Sequence, residues 1–569
     1  MKTFNRLFLI LAISLISIVP VLSQNTPNSE NSGNFEISKN LDIFATLYKE
    51  LNTNYVDELK PGELMKTGID AMLESLDPYT VYIPEAEIED YKFITTGQYG
   101  GIGSLIHKQG NAVIISEPYE GFPAQKAGLK AGDRILKVND KPTIDKSVSD
   151  ISAILKGQPG TPAKLLIERP GEAKPFEKEI VREKITVDNV PYYGMVNDHI
   201  GYIKLTGFTQ EAGNETKKAL LALKAKNNLK GLIFDLRDNG GGLLNEAVNI
   251  TNLFVKRDEL VVSTKGKLED KNKSYKTMME PVDTELPLVI LVNGSSASAS
   301  EIVTGAIQDL DRGVIIGQRT FGKGLVQNVL PLSYNTQFKV TVAKYYIPSG
   351  RCIQAINYAQ RDTNGIAEHF PDSLKTAFKT QHGRVVYDGA GIEPDIYTDP
   401  KLLSNISYSL VSRYLIFDYA TQFCLKHESI DTPDKFEVTD EIYNDFVNYL
   451  SDKKYDYTTK SEKELADLKK SAEKEKYFQD CKAEFEALQS KMMHNKTNDL
   501  ERNKNEIKRI LSSELITRYY YQKGRIQCQL RIDEDVAKAI EVIDNSKTYS
   551  SVLDGTFEQA QKKEENRKM

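Results

Sequence analysis

The chain contains no tryptophan, and among 569 residues it has only six histidines and four cysteines. Histidine is the usual proton acceptor for a serine or cysteine nucleophile, so its scarcity narrows where such chemistry could sit. His107, His199, His369, His382, His427 and His494 stand in no catalytic-looking setting. Cys352, Cys424, Cys481 and Cys528 are too widely spaced for a zinc site, and a chain of this size does not need disulfide staples. Buried free thiols are the expectation. A basic excess is also missing: 74 Lys and Arg face 80 Asp and Glu, for a net charge of -6. That removes the electrostatic footprint of a nucleic-acid binder. No apolar run after the amino terminus reaches membrane-spanning length, so at most peripheral membrane contact is expected.

What is present begins at the amino terminus. Lys2 and Arg6 precede an apolar stretch from Leu7 to Leu22, which ends in Val21-Leu-Ser23. This is the pattern of a secretory signal peptide over residues 1–23, cleaved between Ser23 and Gln24. An uncleaved anchor is the alternative. No cysteine follows the run, so lipidation there is not supported. Export fits the periplasm, with the extracellular medium as runner-up.

The remainder divides by pattern. Residues 24–36 are polar and read as a disordered linker. Residues 37–96 turn helical, with Ile43, Leu47, Leu51 and Tyr55 at helical spacing and Asp77-Pro78 as the stop. Residues 97–186 alternate short strands with glycine turns, a compact half-barrel with a helix at Val148 to Leu155. Residues 187–400 alternate apolar strands and helices, which predicts an α/β sheet covered on both faces. Residues 401–569 are charged and periodic, as Phe478, Cys481, Phe485 and Leu488 and then Ile507, Ile510 and Ile516 show. A helical carboxyl-terminal domain, with a long hairpin, is expected there.

The chemistry gathers in two short stretches. The strand Pro287 to Val292 runs into Asn293-Gly-Ser-Ser-Ala-Ser-Ala-Ser-Glu301, a small-residue turn of the kind that exposes a serine between strand and helix. Gly317-Gln-Arg-Thr-Phe-Gly-Lys-Gly324 follows. A lysine buried among Phe321, Leu325 and Val326 would lose basicity and could accept a serine proton. Composition alone leaves Ser295, Ser296, Ser298 and Ser300 in competition. Ser300 and Glu301 read as residues that cap and begin the helix. Gly240 to Gly242, after the strand Leu232 to Leu236, read equally as a plain turn or as backbone that approaches a ligand closely.

Taken in order, these segments resemble the carboxyl-terminal processing peptidases, also called tail-specific proteases. The resemblance rests on Asp235-Leu-Arg-Asp-Asn-Gly-Gly-Gly-Leu243, Gly294 to Gln308, Thr320 to Gly324, Ala343 to Arg351 and Gly391-Ile-Glu-Pro-Asp395, and covers roughly residues 40 to 400. It implies a crotonase-like, ClpP-type α/β catalytic core with an inserted PDZ domain, an N-terminal helical segment and a C-terminal helical domain. It also implies Ser298 as nucleophile, Lys323 as general base and Gln327 as the residue that orients the lysine. Asp309 would be supporting structure. Oxyanion donors would come from Ala299, Gly241 and Gly242. The PDZ domain would hold a substrate tail on Gly100, Gly101, Ile102 and Gly103, where the family often has Glu at the position of Gly100. No cofactor or metal is implied. Expected partners are unfolded or tagged exported proteins with free C-termini, with an adaptor or a second copy also in view. The competing readings are a silent PDZ scaffold, a carrier, and an ester hydrolase.

Overall fold

The computed structural model describes residues 29–226 and 228–557, so the expected signal peptide lies outside the described residues. The chain divides into two compact units, one ending at Ser75 and the other running from Leu76. In the first unit the described residues form the helices α1 (Ser29–Asn54) and α2 (Pro61–Glu74). Helix α1 begins inside the stretch read as a linker, so residues 29–36 are helical rather than disordered. The polar composition there misled because a surface helix needs few apolar residues once its downstream half carries them.

In the second unit, residues expected in the helical region instead form a short strand, β1 (Val81–Ile83). The half-barrel follows. Strands β3 (Ser104–Gln109), β4 (Ala112–Pro118), β5 (Arg134–Val138), β6 (Pro162–Glu168) and β7 (Phe176–Val181) form one antiparallel sheet in that order, with β3 at its edge. Helix α3 (Val148–Leu155) starts on a capping box from Ser147 and Asp150 and buries Ile151 and Leu155. Strand β2 (Gln98–Gly101) pairs with β8 (Glu183–Thr186), which closes the domain at its two ends.

The catalytic layer is a six-stranded sheet, in the order β9 (Tyr192–Met195), β10 (Ile200–Lys204), β11 (Gly231–Asp235), β14 (Leu288–Val292), β15 (Val314–Gly317) and β18 (Ile396–Tyr397). All its pairs are parallel except β9 with β10. Its central strands are buried on both faces, which is why they read as continuous apolar runs. One face, with Ile203, Phe234, Ile290 and Ile315, lies under helices α4 (Ala212–Lys224), α5 (Leu244–Thr251) and α6 (Ala299–Asp309). The other, with Tyr202, Ile233, Leu291 and Ile316, is covered by Val536, Ala539, Val542 and Val552.

A second sheet is built on the long strand β17 (Gln337–Tyr346). It pairs with β16 (Leu325–Pro331) on one side, and with β1 and β12 (Leu260–Gly266) on the other. Strand β13 (Lys273–Lys276) extends it.

Beyond residue 400 come helices α7 (Asn405–Ser412), α8 (Leu415–Lys426), α9 (Asp440–Tyr449), α10 (Lys460–Lys474), α11 (Lys482–Thr497) and α12 (Lys504–Leu530). Their core joins Ile416, Tyr419, Phe446, Ile507, Leu511 and Ile516. The expected hairpin is α10 with α11, around the edge-on pair Phe478 and Phe485. Helices α13 (Glu534–Asp544) and α14 (Ser546–Leu553) are different: they are the outer cover of the catalytic sheet, which the boundary expected at residue 400 assigned elsewhere. The four cysteines are free thiols as expected, but only Cys528 is fully buried.

Candidate active site

Strand β14 delivers the chain to the serine turn, and the fold separates the four serines by what their hydroxyls do. Ser296 is buried and donates to the Leu236 carbonyl at 2.8 Å. Ser300 is buried and donates to the Asn239 carbonyl at 2.9 Å. Ser295 is exposed on the turn. Ser298 alone is half-buried in a strained backbone conformation, φ 57° and ψ -113°, immediately before α6. A non-glycine residue held there at the strand-to-helix turn is the arrangement that presents a nucleophile.

The glycine turn after β11 is stitched to the serine turn. Asn293 Nδ2 donates to Asp238 Oδ1 at 2.8 Å, and Ala297 N–H donates to the Asn239 carbonyl at 3.0 Å. Gly241 lies so close that an added Cβ would meet the Ala297 carbonyl at 2.6 Å and Ser298 Cβ at 2.8 Å. Its φ of +96° excludes other residues independently. The Gly241 N–H already donates to Asn239 Oδ1 at 2.9 Å, so this amide is not the open donor the sequence suggested. Gly242 packs against the backbone of Phe208. Ala299 is the first residue of α6, where helix N–H groups have no partner within the helix.

Glu301 is the residue that sequence reasoning undervalued. It was read as an ordinary first-turn acid, yet it is fully buried. Its carboxylate accepts the N–H of Ser298 at 2.8 Å, of Gly322 at 2.7 Å and of Lys323 at 2.9 Å, and the Thr320 hydroxyl at 2.6 Å. One side chain therefore holds the serine turn and the lysine loop together. Burial outweighs these donors and pushes its carboxyl up to about 7. Tyr345, on β17, ties the same two segments from the other side. Its hydroxyl is 2.6 Å from the Lys323 carbonyl and 3.2 Å from that of Ser298.

The lysine loop itself is braced by the Gly391 segment, whose Ile392 N–H donates to Thr320 Oγ1 at 2.7 Å. Lys323 is largely removed from water. Burial and the nearby Lys339 lower its pKa to about 8, against the opposing pull of Glu301 and Asp77. Its ammonium lies 4.0 Å from the ring centroid of Tyr79. Among the described residues no hydrogen bond joins Ser298 Oγ to Lys323 Nζ, and such contacts are often long before substrate binds. Gln327 sits on β16 and donates to Thr341 Oγ1 at 3.2 Å, a bond to the neighbouring strand rather than to the lysine. Asp309 is at the far end of α6, buried against Arg351 at 2.8 Å and the N–H of Ser349 at 2.9 Å. It forms a buried ion pair that braces the end of α6. His107, His199, His382 and His427 are all engaged with other partners.

Behind the glycine turn, Arg237 lies between Asp235 at 2.7 Å and two residues from the start of α13, Asp533 at 2.9 Å and Asp535 at 2.9 Å. Burial costs this charge, but Asp235 and Asp533 outweigh the cost, so its pKa is raised.

The stretch from Gly100 to Gly103 links β2 to the edge strand β3. Gly100 faces the Gly157 carbonyl, which an added Cβ would meet at 2.1 Å, a reason for glycine where the resemblance led to Glu. The Ile102 side chain is buried in the PDZ core and its carbonyl accepts the Ala124 N–H at 2.7 Å. Gly101 pairs with Glu183, and Gly103 is left-handed at φ +73°.

Three family models match the chain: peptidase family S41 over residues 199–367, a PDZ domain over 114–169, and the C-terminal helical domain of probable PDZ-proteases over 406–543. A carboxy-terminal-processing protease of Bartonella bacilliformis is 35% identical over 353 residues, covering 62% of this chain and 80% of the relative. A probable CtpA-like serine protease of Staphylococcus aureus is 31% identical over 448 residues, covering 78% of this chain and 87% of that one. Among solved structures, the photosystem II D1 C-terminal processing protease is 27% identical, with a TM-score of 0.35, covering 63% of this chain and 93% of the other. The serine turn and the lysine loop fall within the S41 match, the PDZ match lies inside the half-barrel, and with these relatives the chain belongs to the carboxy-terminal-processing proteases of peptidase family S41, which are serine-type peptidases.

Proposed function

We propose that this peptidase cleaves exported proteins near exposed apolar C-termini, with Ser298 as nucleophile and Lys323 as general base. The observation that carries the reading is the shared carboxylate of Glu301, which accepts N–H groups from both Ser298 and Lys323. It favours one serine out of four and one lysine out of many. Neutral Lys323 takes the proton of Ser298 as its oxygen attacks the scissile carbonyl. Ala299 and Gly242 are the amides best placed to donate to the resulting oxyanion, and Gly241 leaves the space. The Lys323 ammonium then protonates the leaving amine as the C–N bond breaks. Water attacks the acyl-enzyme with the same base. Gln327 keeps β16 in register beside the base, and Asp309 anchors the end of α6.

Edge strand β3 offers an extended peptide a partner, and the Gly100–Gly103 turn stands where a terminal carboxylate would arrive. The signal-like amino terminus supports work on exported chains in the periplasm, or outside the cell. Unfolded or tagged proteins with free C-termini are the partners, and an adaptor or a second copy is compatible with the helical domain.

The test is cleavage of an unfolded protein with an apolar C-terminus by the chain lacking residues 1–23, beside Ser298→Ala and Lys323→Ala. Intact mass locates each cut, and an amidated tail is the control. Loss of cleavage in both variants, and weakening by amidation, is expected. Activity that survives in both variants would overturn the catalytic assignment. A wild-type chain that binds the tail without cutting it would favour a scaffold.

A further inference from the structure

The base side of the site contains an aromatic ring that the Ser-Lys chemistry leaves unassigned. It belongs to the segment just before β1. There the buried carboxylate of Asp77 accepts the N–H of Tyr79 at 2.8 Å, the N–H of Thr80 at 2.9 Å and the Thr80 hydroxyl at 3.0 Å. Thr80 Oγ1 accepts the N–H of Thr341 at 3.1 Å, and β1 then pairs with β17. Tyr79 is thus fixed between neighbours that are anchored to β17, the strand that also supplies Tyr345. Its hydroxyl is 3.2 Å from that of Tyr358, whose ring meets it edge-on at 5.9 Å. Its ring receives the Lys323 ammonium at 4.0 Å. The charged groups that act on this ammonium are Lys339 from β17, Glu301 from α6 and Asp77 beside the ring.

We propose that Tyr79 is a positioning residue for the general base, its ring face seating the Lys323 ammonium that forms when the serine proton is taken. The inference rests on Lys323 being that base. The positive charge exists on Nζ between two transfers, from the Ser298 hydroxyl to the lysine and from the lysine to the leaving amine. An aromatic face attracts the cation and is nearly indifferent to the neutral amine. It therefore favours the charged state that the acylation step creates, and it holds the long side chain in one place. Burial alone would only make the lysine a weaker base, so the ring offsets part of that cost where the reaction requires it. If the ring were merely a wall, any apolar side chain of similar size would serve.

The experiment compares Tyr79→Phe, Tyr79→Leu and Lys323→Ala in the full chain, reading kcat and KM for a peptide substrate across the acid limb of the pH profile. Thermal unfolding checks that each variant is folded. Lys323→Ala should be inactive. Tyr79→Phe keeps the face and should stay within about threefold of wild type, with the limb unmoved. Tyr79→Leu should lower kcat about tenfold with little change in KM, and move the limb down by roughly half a unit to one unit. Pentafluorophenylalanine in place of Tyr79 keeps the shape and reverses the ring's quadrupole, so it should behave like Tyr79→Leu even if the latter folds poorly. A Tyr79→Leu profile like wild type, an upward shift of the limb, or equal damage from Tyr79→Phe would each overturn the proposal while leaving the base assignment intact. Full activity in Lys323→Ala would overturn the base assignment itself, and the proposal with it.

Discussion

Replacing Lys323 by methionine should abolish cleavage and at the same time stabilise the protein. The lysine is held at a pKa of about 8 against an ordinary 10.5, chiefly because burial penalises its charge. Below pH 8 both folded and unfolded chains carry the proton, and the folded state bears the cost of a buried ammonium. A shift of about 2.5 units corresponds to roughly 3 kcal/mol, reduced to about 2 kcal/mol for partial solvent access. Between pH 8 and 10.5 the unfolded chain binds more protons than the folded one, so wild-type stability rises with pH. Above 10.5 the penalty is gone. The advantage of Lys323→Met should therefore be full below pH 8, shrink from pH 8 to 10.5, and vanish beyond. Because the chain has no tryptophan, urea unfolding is best followed by far-ultraviolet circular dichroism. Cleavage should fall by about two to four orders of magnitude, the range for loss of a general base. Wild-type kcat/KM should rise with pH and level off near pH 8. No stabilisation at neutral pH, or a wild-type rate still climbing tenfold per unit at pH 9, would refute the idea of a lysine tuned by burial.

Three further outcomes follow from the same geometry. Glu301→Gln places an amide NH2 against buried N–H donors, each unpaired group costing about 1–3 kcal/mol, so a lower melting temperature and at least tenfold lower kcat are expected; unchanged kinetics would remove Glu301 from the site's scaffold. Gly241→Ala puts a methyl 2.6 Å from the Ala297 carbonyl and 2.8 Å from Ser298 Cβ, and labelling of Ser298 by a fluorophosphonate should drop steeply while the fold persists; normal labelling would contradict the close approach. Asp533→Asn combined with Asp535→Asn leaves Arg237 with Asp235 alone, a loss of about 1–3 kcal/mol for each charged hydrogen bond. It should lower kcat more than it raises KM, and wild-type kcat would show that the turn does not depend on α13.

The sequence already disclosed the parts whose chemistry is local. Buried parallel strands need apolar residues on both faces, so β10, β11, β14 and β15 were visible as runs. Turns that require left-handed backbone need glycine, so Gly241 and Gly322 stood out. The choice of Ser298 over Ser296 was not local. Both are small residues in the same turn, and only the carbonyl of Leu236, 60 residues away in sequence, removes Ser296 from contention. Glu301 shows the same limit more sharply. A first-turn acid and a fully buried hub have identical sequence signatures, because the helix start and the lysine loop are brought together by the sheet, not by the chain. A helical carboxyl-terminal region was legible, but not that Val536, Ala539 and Val542 of α13 pack on the catalytic sheet. Nothing in the sequence marks Tyr79, since a ring acquires its meaning from the cation placed above it. Sequence therefore marked the groups that react, while the groups that set their distance and charge came from segments whose relation to the site exists only in the fold.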